Sequence, residues 1–180
     1  TVIFIMLIII LIMLVFTNEH FFNWSFARHQ NQLSWYIRPL FLIPFCYFAA
    51  RRSCAGILGT IFVLLTSMFW FPQPDMVNEQ VNSFLQMEKD YLIGEWGTTK
   101  ILITLLVPIS LVALAAAFWI RSLWLGIAVL VFIAITKILW SVAFGGVSGI
   151  AVIAPAIIGL AICIILIYIG MKKYRKKSRS

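Results

Sequence analysis

Long apolar runs interrupted by short polar breaks dominate this chain. Val2 to Phe16 is almost wholly Ile, Leu, Met and Val, and further apolar runs cover Leu33 to Ala50, Ala55 to Phe71, Ile101 to Ile120, Leu123 to Phe144 and Val147 to Gly170. A helix rising 1.5 Å per residue needs about 20 residues to cross a hydrocarbon layer roughly 30 Å thick. The pattern therefore predicts an all-α transmembrane bundle of six spans, about 2–16, 33–50, 55–71, 101–120, 123–144 and 147–170. These form one membrane domain over residues 1–171, followed by a basic tail at 172–180. The first run is short for a span, and with no initiating methionine the expectation is that it begins upstream. A cleaved signal peptide is the rival, but neither a basic leader nor a small-x-small site accompanies it.

Breaks within the runs carry their own information. Arg38, Pro39 and Pro44 fall inside the second run, and proline removes a backbone donor, so a kink is expected there. Only Arg51, Arg52, Ser53 and Cys54 link runs two and three, which requires a tight antiparallel hairpin. Gly145, Gly146, Ser148 and Gly149 make a tight turn between runs five and six and suit close helix packing. No residue similarity supports an inverted repeat between the two halves.

The longest polar stretch, about 75–96, has a different period. Val77, Val81, Phe84, Leu85, Glu88 and Leu92 recur at helical spacing, apolar except at Glu88, with Asn78, Asn82, Gln86, Lys89 and Asp90 on other faces. This predicts an amphipathic helix on the membrane surface, with Asp75 as its N-cap and Gly94 and Gly97 at its end. The other polar stretch, TNEHFFNWSFARHQNQLSWY, mixes Phe21, Phe22, Trp24, Phe26, Trp35 and Tyr36 with polar groups. That is the composition of an interfacial aromatic belt or an aromatic-lined pocket for an apolar ligand.

Composition confirms the class and adds a direction. Apolar residues make up 63% of 180, charged ones 11%, and mean hydropathy is +1.03. A soluble enzyme, a disordered chain and a disulfide-rich module are excluded. With six spans, Arg51, Arg52, Arg121, Lys172, Lys173, Arg175, Lys176, Lys177 and Arg179 share one side with both termini. Arg28, Lys89 and Lys100 lie on the other, together with all six acids. The positive-inside rule then makes both termini cytoplasmic, in an inner (plasma) membrane of bacterial type. Lys172, Lys173, Arg175, Lys176, Lys177 and Arg179 form a patch for anionic inner-leaflet lipid rather than nucleic acid.

Two cations remain inside the runs. Lys137 and Arg38 lie at similar depth, about 10 and 8 Å from the acidic side by the helical rise. No run contains Asp or Glu, so their partners must come from the acidic loops (Glu19, Asp90, Glu95), from carbonyls or lipid phosphates, or from something bound. The absence of an intramembrane carboxylate also argues against a proton- or cation-coupled carrier. The functional expectation is an anionic site formed by Arg38, Lys137 and Lys100 with Trp35, Tyr36, Trp140 and Ser141.

Other chemistry has weaker support. His20 and His29 are weak metal candidates, nine residues apart and without ligand spacing. Cys46, Cys54 and Cys163 are expected to be small buried apolar residues. Asn23-Trp24-Ser25 is a glycosylation sequon. No catalytic motif is present and no cofactor is implied. Three functions stay open: transport or binding of an anionic or amphiphilic small molecule or lipid, as a homo-oligomer or with partners; an accessory subunit of a larger membrane complex; and a membrane-embedded lipid-modifying enzyme.

Overall fold

A computed structural model describes the backbone of residues 1–177 and the side chains of residues 1–172. The described residues are helical and form no strand. The expected lipid contacts of Lys173, Arg175, Lys176, Lys177 and Arg179 lie outside the described side chains.

Helix α1 (Val2–Thr17) turns by 100° at Asn18 into α2 (Glu19–His29), so α2 lies across the end of the bundle instead of continuing through it. Asn18 is the N-cap of α2, its side chain accepting from the Phe21 amide at 2.9 Å. The belt expected around residues 17–36 is therefore largely helical. Its inward face, Phe22, Ser25, Phe26 and His29, follows the helical repeat.

The second apolar run is one span in three pieces: α3 (Leu33–Ile37), a 3-10 turn at Arg38–Phe41, and α4 (Leu42–Ala50). Pro39 and Pro44 account for the break, since each lacks the amide that an α-helical ladder needs. Helix α5 (Cys54–Thr66) returns along α4 and ends in a 3-10 turn at Ser67–Phe69. After an extended segment come α6 (Glu79–Ile93), α7 (Thr98–Trp119) and α8 (Leu123–Gly145). A tight turn and a 3-10 segment at Ser148–Val152 then lead into α9 (Ile153–Lys177).

Four helical stretches are long and apolar enough to cross a membrane: Leu33–Ala50, Thr98–Trp119, Leu123–Gly145 and Ser148–Lys172. The bent pair α1 and α2 makes a fifth if counted as one. Six independent spans are not reached. Helix α1, at 16 residues, is about 24 Å long. Helix α5 with its 3-10 extension is about 26 Å, short of the roughly 30 Å layer.

The bundle has a basic end and a capped end. At the basic end, Arg51–Arg52 and Arg121 occupy the α4–α5 and α7–α8 turns, and Arg52 Nε donates to the Trp119 carbonyl at 3.4 Å. An apolar core joins α4, α7, α8 and α9 just inside it: Phe45, Cys46, Leu114, Phe118, Leu130 and Ile167 among others. At the capped end, α2 and α6 cover a second core of Phe22, Phe26, Trp35, Val81, Phe84, Leu85 and Val152. Helix α6 starts at Glu79, with Asn78 as its N-cap in place of the expected Asp75. The Asn78 side chain accepts from the amides of Gln80 and Val81. Asp75 lies outside α6, in the segment between Pro74 and Asn78.

Candidate functional site

Between the two apolar cores lies a thin polar layer. His29, the last residue of α2, is followed by a turn at Asn31 that leads directly into α3, so that Ser34 and Arg38 come back beside it. Arg38 Nη1 stands 3.1 Å from His29 Nε2. Ser34 Oγ stands 3.0 Å from His29 Nδ1 and donates to the Asn31 carbonyl at 2.8 Å.

These contacts fix the protons. A guanidinium can only donate, so Nε2 must accept, and the imidazole is neutral with its proton on Nδ1. Nδ1 then donates to Ser34 Oγ, whose own hydrogen goes to Asn31. In this tautomer His29 cannot take a proton from Ser34, so the pair is not an activated nucleophile. Trp35 locks the turn from the other side, its indole N–H donating to the His29 carbonyl at 2.9 Å. His29 is held well below the usual histidine pKa range, first by burial and then by the charges of Arg38 and Lys137.

Lys137 on α8 has a partner that the apolar pattern of α6 had flagged only as an irregularity. Its Nζ is 2.9 Å from Glu88 Oε1, and it lies over the rings of Trp140 (4.8 Å) and Phe84 (5.4 Å). Glu88, on the inward stripe of α6, is the carboxylate that the spans themselves lack, so the expected reach to Glu19, Asp90 or Glu95 is replaced by this pair. Its charge also acts on Arg38. Arg38 itself hydrogen-bonds a neutral nitrogen, and no carboxylate lies within 4 Å of it among the described residues.

Two buried hydroxyls lie on the faces that line this layer. Ser141, one helical turn beyond Lys137 on α8, is fully buried and has no hydrogen-bond partner. Ser25, one turn before His29 on α2, is likewise buried and unpartnered. A buried hydroxyl left unbonded costs about 1–3 kcal/mol. Two such groups, each one helical turn from a member of the layer, suit an oxygen-rich ligand.

Of the residues singled out from the sequence, Arg38, Lys137, Trp35, Trp140 and Ser141 share this region. Lys100 does not: its Nζ donates to the Gly94 carbonyl at 2.7 Å and sits between Tyr91 and Trp96, fastening the α6–α7 turn. Tyr36 turns to the exposed side of α3. His20 is exposed and His29 buried, so they do not form a ligand pair, and no cluster of three metal-ligating side chains occurs among the described residues. Cys46 and Cys163 are buried as expected, whereas Cys54, at the start of α5 beside the basic turn, is exposed. Ser34 and Glu88 are the members that sequence reasoning missed, and His29 had been noted only as a weak metal candidate. A signal for Glu88 was present in its break of the apolar stripe of α6, and one for His29 in its nine-residue spacing from Arg38 around a turn.

Two cavities lie elsewhere. One of about 270 Å³ is an apolar groove between α7 and α8, lined by Leu106, Ile109, Ala113, Ala128 and Phe132 among others. The other, about 80 Å³, separates α2 from α6 and is lined by amides and Lys89. Gln30 bonds Asn82 and Lys89 bonds Asn23 across it. No family model matches this chain, and no curated protein or solved structure matches it either.

Proposed function

We propose that this chain is an integral membrane protein that binds an anionic group of a small molecule or lipid inside the bundle, as a binding or transport step, at the layer centred on Arg38. The observation that carries this is the state of Arg38: a cation within a span, bonded to a neutral imidazole, with no carboxylate of its own. A charge in such a position is costly unless it is paired. Arg38 and Lys137 against Glu88 alone leave one net positive charge in the layer while His29 stays neutral, and a bound anion would balance it.

The same reading gives the chain six crossings, with α1 and α5 completing the set beside the four long helices. Both termini and the basic end face the cytoplasm, by the asymmetry of Lys and Arg. The C-terminal cations contact anionic lipid, and the capped end faces the opposite side.

The test is thermal unfolding in neutral detergent with two amphiphiles of equal chain length, a lysophosphatidic acid and a monoacylglycerol. The phosphate-bearing one should raise the midpoint of the wild-type protein, as any ligand selective for the native state does. It should leave Arg38→Met unmoved, and the neutral one should move neither. Equal shifts in wild type and Arg38→Met would defeat the proposal.

A further inference from the structure

We infer that the polar layer is loaded sideways from the bilayer, and that its ligand is the phosphate of a membrane lipid, which displaces Glu88 from Lys137 and reaches Arg38. This rests on the anion-binding reading above and adds the route and the ligand class.

The route follows from what is sealed and what is open. Toward the capped end the layer is closed by Phe22, Phe26, Trp35, Val81, Phe84, Leu85 and Val152, none more than 9% exposed. Above them, two hydrogen bonds bridge α2 and α6. A water-soluble anion has no path through that cap. The side of the bundle is different. Leu123, Gly126, Leu130 and Ser141 are the buried positions of α8, and Lys137 falls on their stripe, seven residues after Leu130 and four before Ser141. Its side chain is nevertheless 46% exposed. Lys137 is eight residues, about 12 Å, from the capped end of α8. At that depth inside the span a side chain left nearly half exposed opens on the flank of the bundle, toward hydrocarbon rather than water.

The chemistry of the opening selects the ligand. A phosphodiester carries the same single charge as the Glu88 carboxylate, so the exchange keeps Lys137 paired while bringing negative charge to Arg38, which Glu88 does not contact. It brings additional oxygens for the free donors of Arg38, whose fork matches phosphate geometry, and for the Ser141 hydroxyl. The acyl chains stay in the bilayer along the exposed flank of α8. Glu88, on the surface helix α6, is able to turn toward water as it leaves.

Native mass spectrometry of the protein released from nanodiscs tests this. In phosphatidylcholine discs containing a minority of phosphatidylglycerol, the wild type should retain phosphatidylglycerol. Arg38→Met should lose it by about tenfold or more, the scale of one charged hydrogen-bond partner, and Arg38→Lys, keeping charge but not the fork, should fall between. Glu88→Gln removes the competing carboxylate and should retain several-fold more lipid, whereas a Glu88 that only braces the fold would retain less. In discs of phosphatidylcholine alone, soluble glycerol phosphate should not bind. Binding of glycerol phosphate as tight as that of phosphatidylglycerol would overturn the lateral route but keep the anion site. Binding of neither would overturn both, and weaker retention by Glu88→Gln would overturn the exchange.

Discussion

Gly159 of α9 lies against the ring of Pro39, so close that a Cβ at position 159 would stand 2.5 Å from the Pro39 Cβ. Cys163, one turn on, donates its thiol to the Pro39 carbonyl at 3.0 Å. The 3-10 turn that presents Arg38 is thus pressed onto α9 at a position where that helix has no side chain. Gly159→Ala should destabilise the protein by about 1–3 kcal/mol, the usual cost of overpacking. It should also weaken lipid retention, because Pro39 cannot move without Arg38. Gly170→Ala, where a Cβ meets nothing within 4 Å, should cost nothing. Denaturant or thermal unfolding of both variants in one detergent checks the contrast.

His29 makes stability depend on pH in a definite direction. Its folded pKa is depressed by burial and by its cationic neighbours, while the unfolded chain takes up the proton near the ordinary value of about 6.5. Between these two values the unfolded state holds more protons, so stability rises with pH. The contribution is complete above about 6.5 and is lost as pH falls from there toward the depressed value, with a limiting slope of about 1.4 kcal/mol per pH unit. Protonation would also place a proton on Nε2, where Arg38 now donates, so acid should release Arg38. Unfolding midpoints of wild type and His29→Gln between neutral and acid pH should converge on acidification; parallel curves would count against the assignment.

Asn78, not Asp75, should matter for the cap helix. Asn78→Ala removes a side-chain oxygen that serves two amides and should cost about 1 kcal/mol. Asp75→Ala should fall within about 0.5 kcal/mol of wild type, as exposed changes do. Because α6 carries Glu88, hydrogen exchange at the start of α6 should rise in the first variant and not in the second.

How much could be read from the chain depended on the range of the interaction. Helices α7, α8 and α9 were legible because apolar runs of 20 or more residues, broken by charge only at Lys137, admit one structure in a bilayer, and the prolines at 39 and 44 marked the break in the second span. The stripe of α6 was legible too, including its exception at Glu88, but a one-dimensional pattern cannot say that the exception meets Lys137, 49 residues away. The same limit hid the contact of His29 with Arg38, which needs α2 to be a helix that ends where α3 begins. The aromatic richness of that segment concealed a helical repeat of Phe22, Phe26 and His29. Length alone did not reveal that the run to Phe71 tightens into a 3-10 turn at Ser67, which leaves α5 shorter than the four long helices.

The two turns at the basic end share one construction, and it gives the last prediction. Arg52 and Arg121 have φ of 55° and 57°, the left-handed region where glycine is the usual occupant. In each, the arginine amide bonds the carbonyl three residues back, and the amide of the following serine bonds the carbonyl five back: Phe48 for Ser53 and Ala117 for Ser122. This is the Schellman pattern, closed by a residue that pays about 1 kcal/mol or more for its Cβ. Arg52→Gly relieves that strain and Arg52→Ala retains it, while both remove the same charge and the same 3.4 Å contact to Trp119. Comparing the two variants therefore isolates the backbone: Arg52→Gly should be the more stable by about 1 kcal/mol, after allowance for the greater freedom of glycine in the unfolded chain. If the alanine variant proves equal or better, the turn is not strained as described. If the glycine variant gains, the arginine stands there for its charge at the basic end, at the expense of the fold.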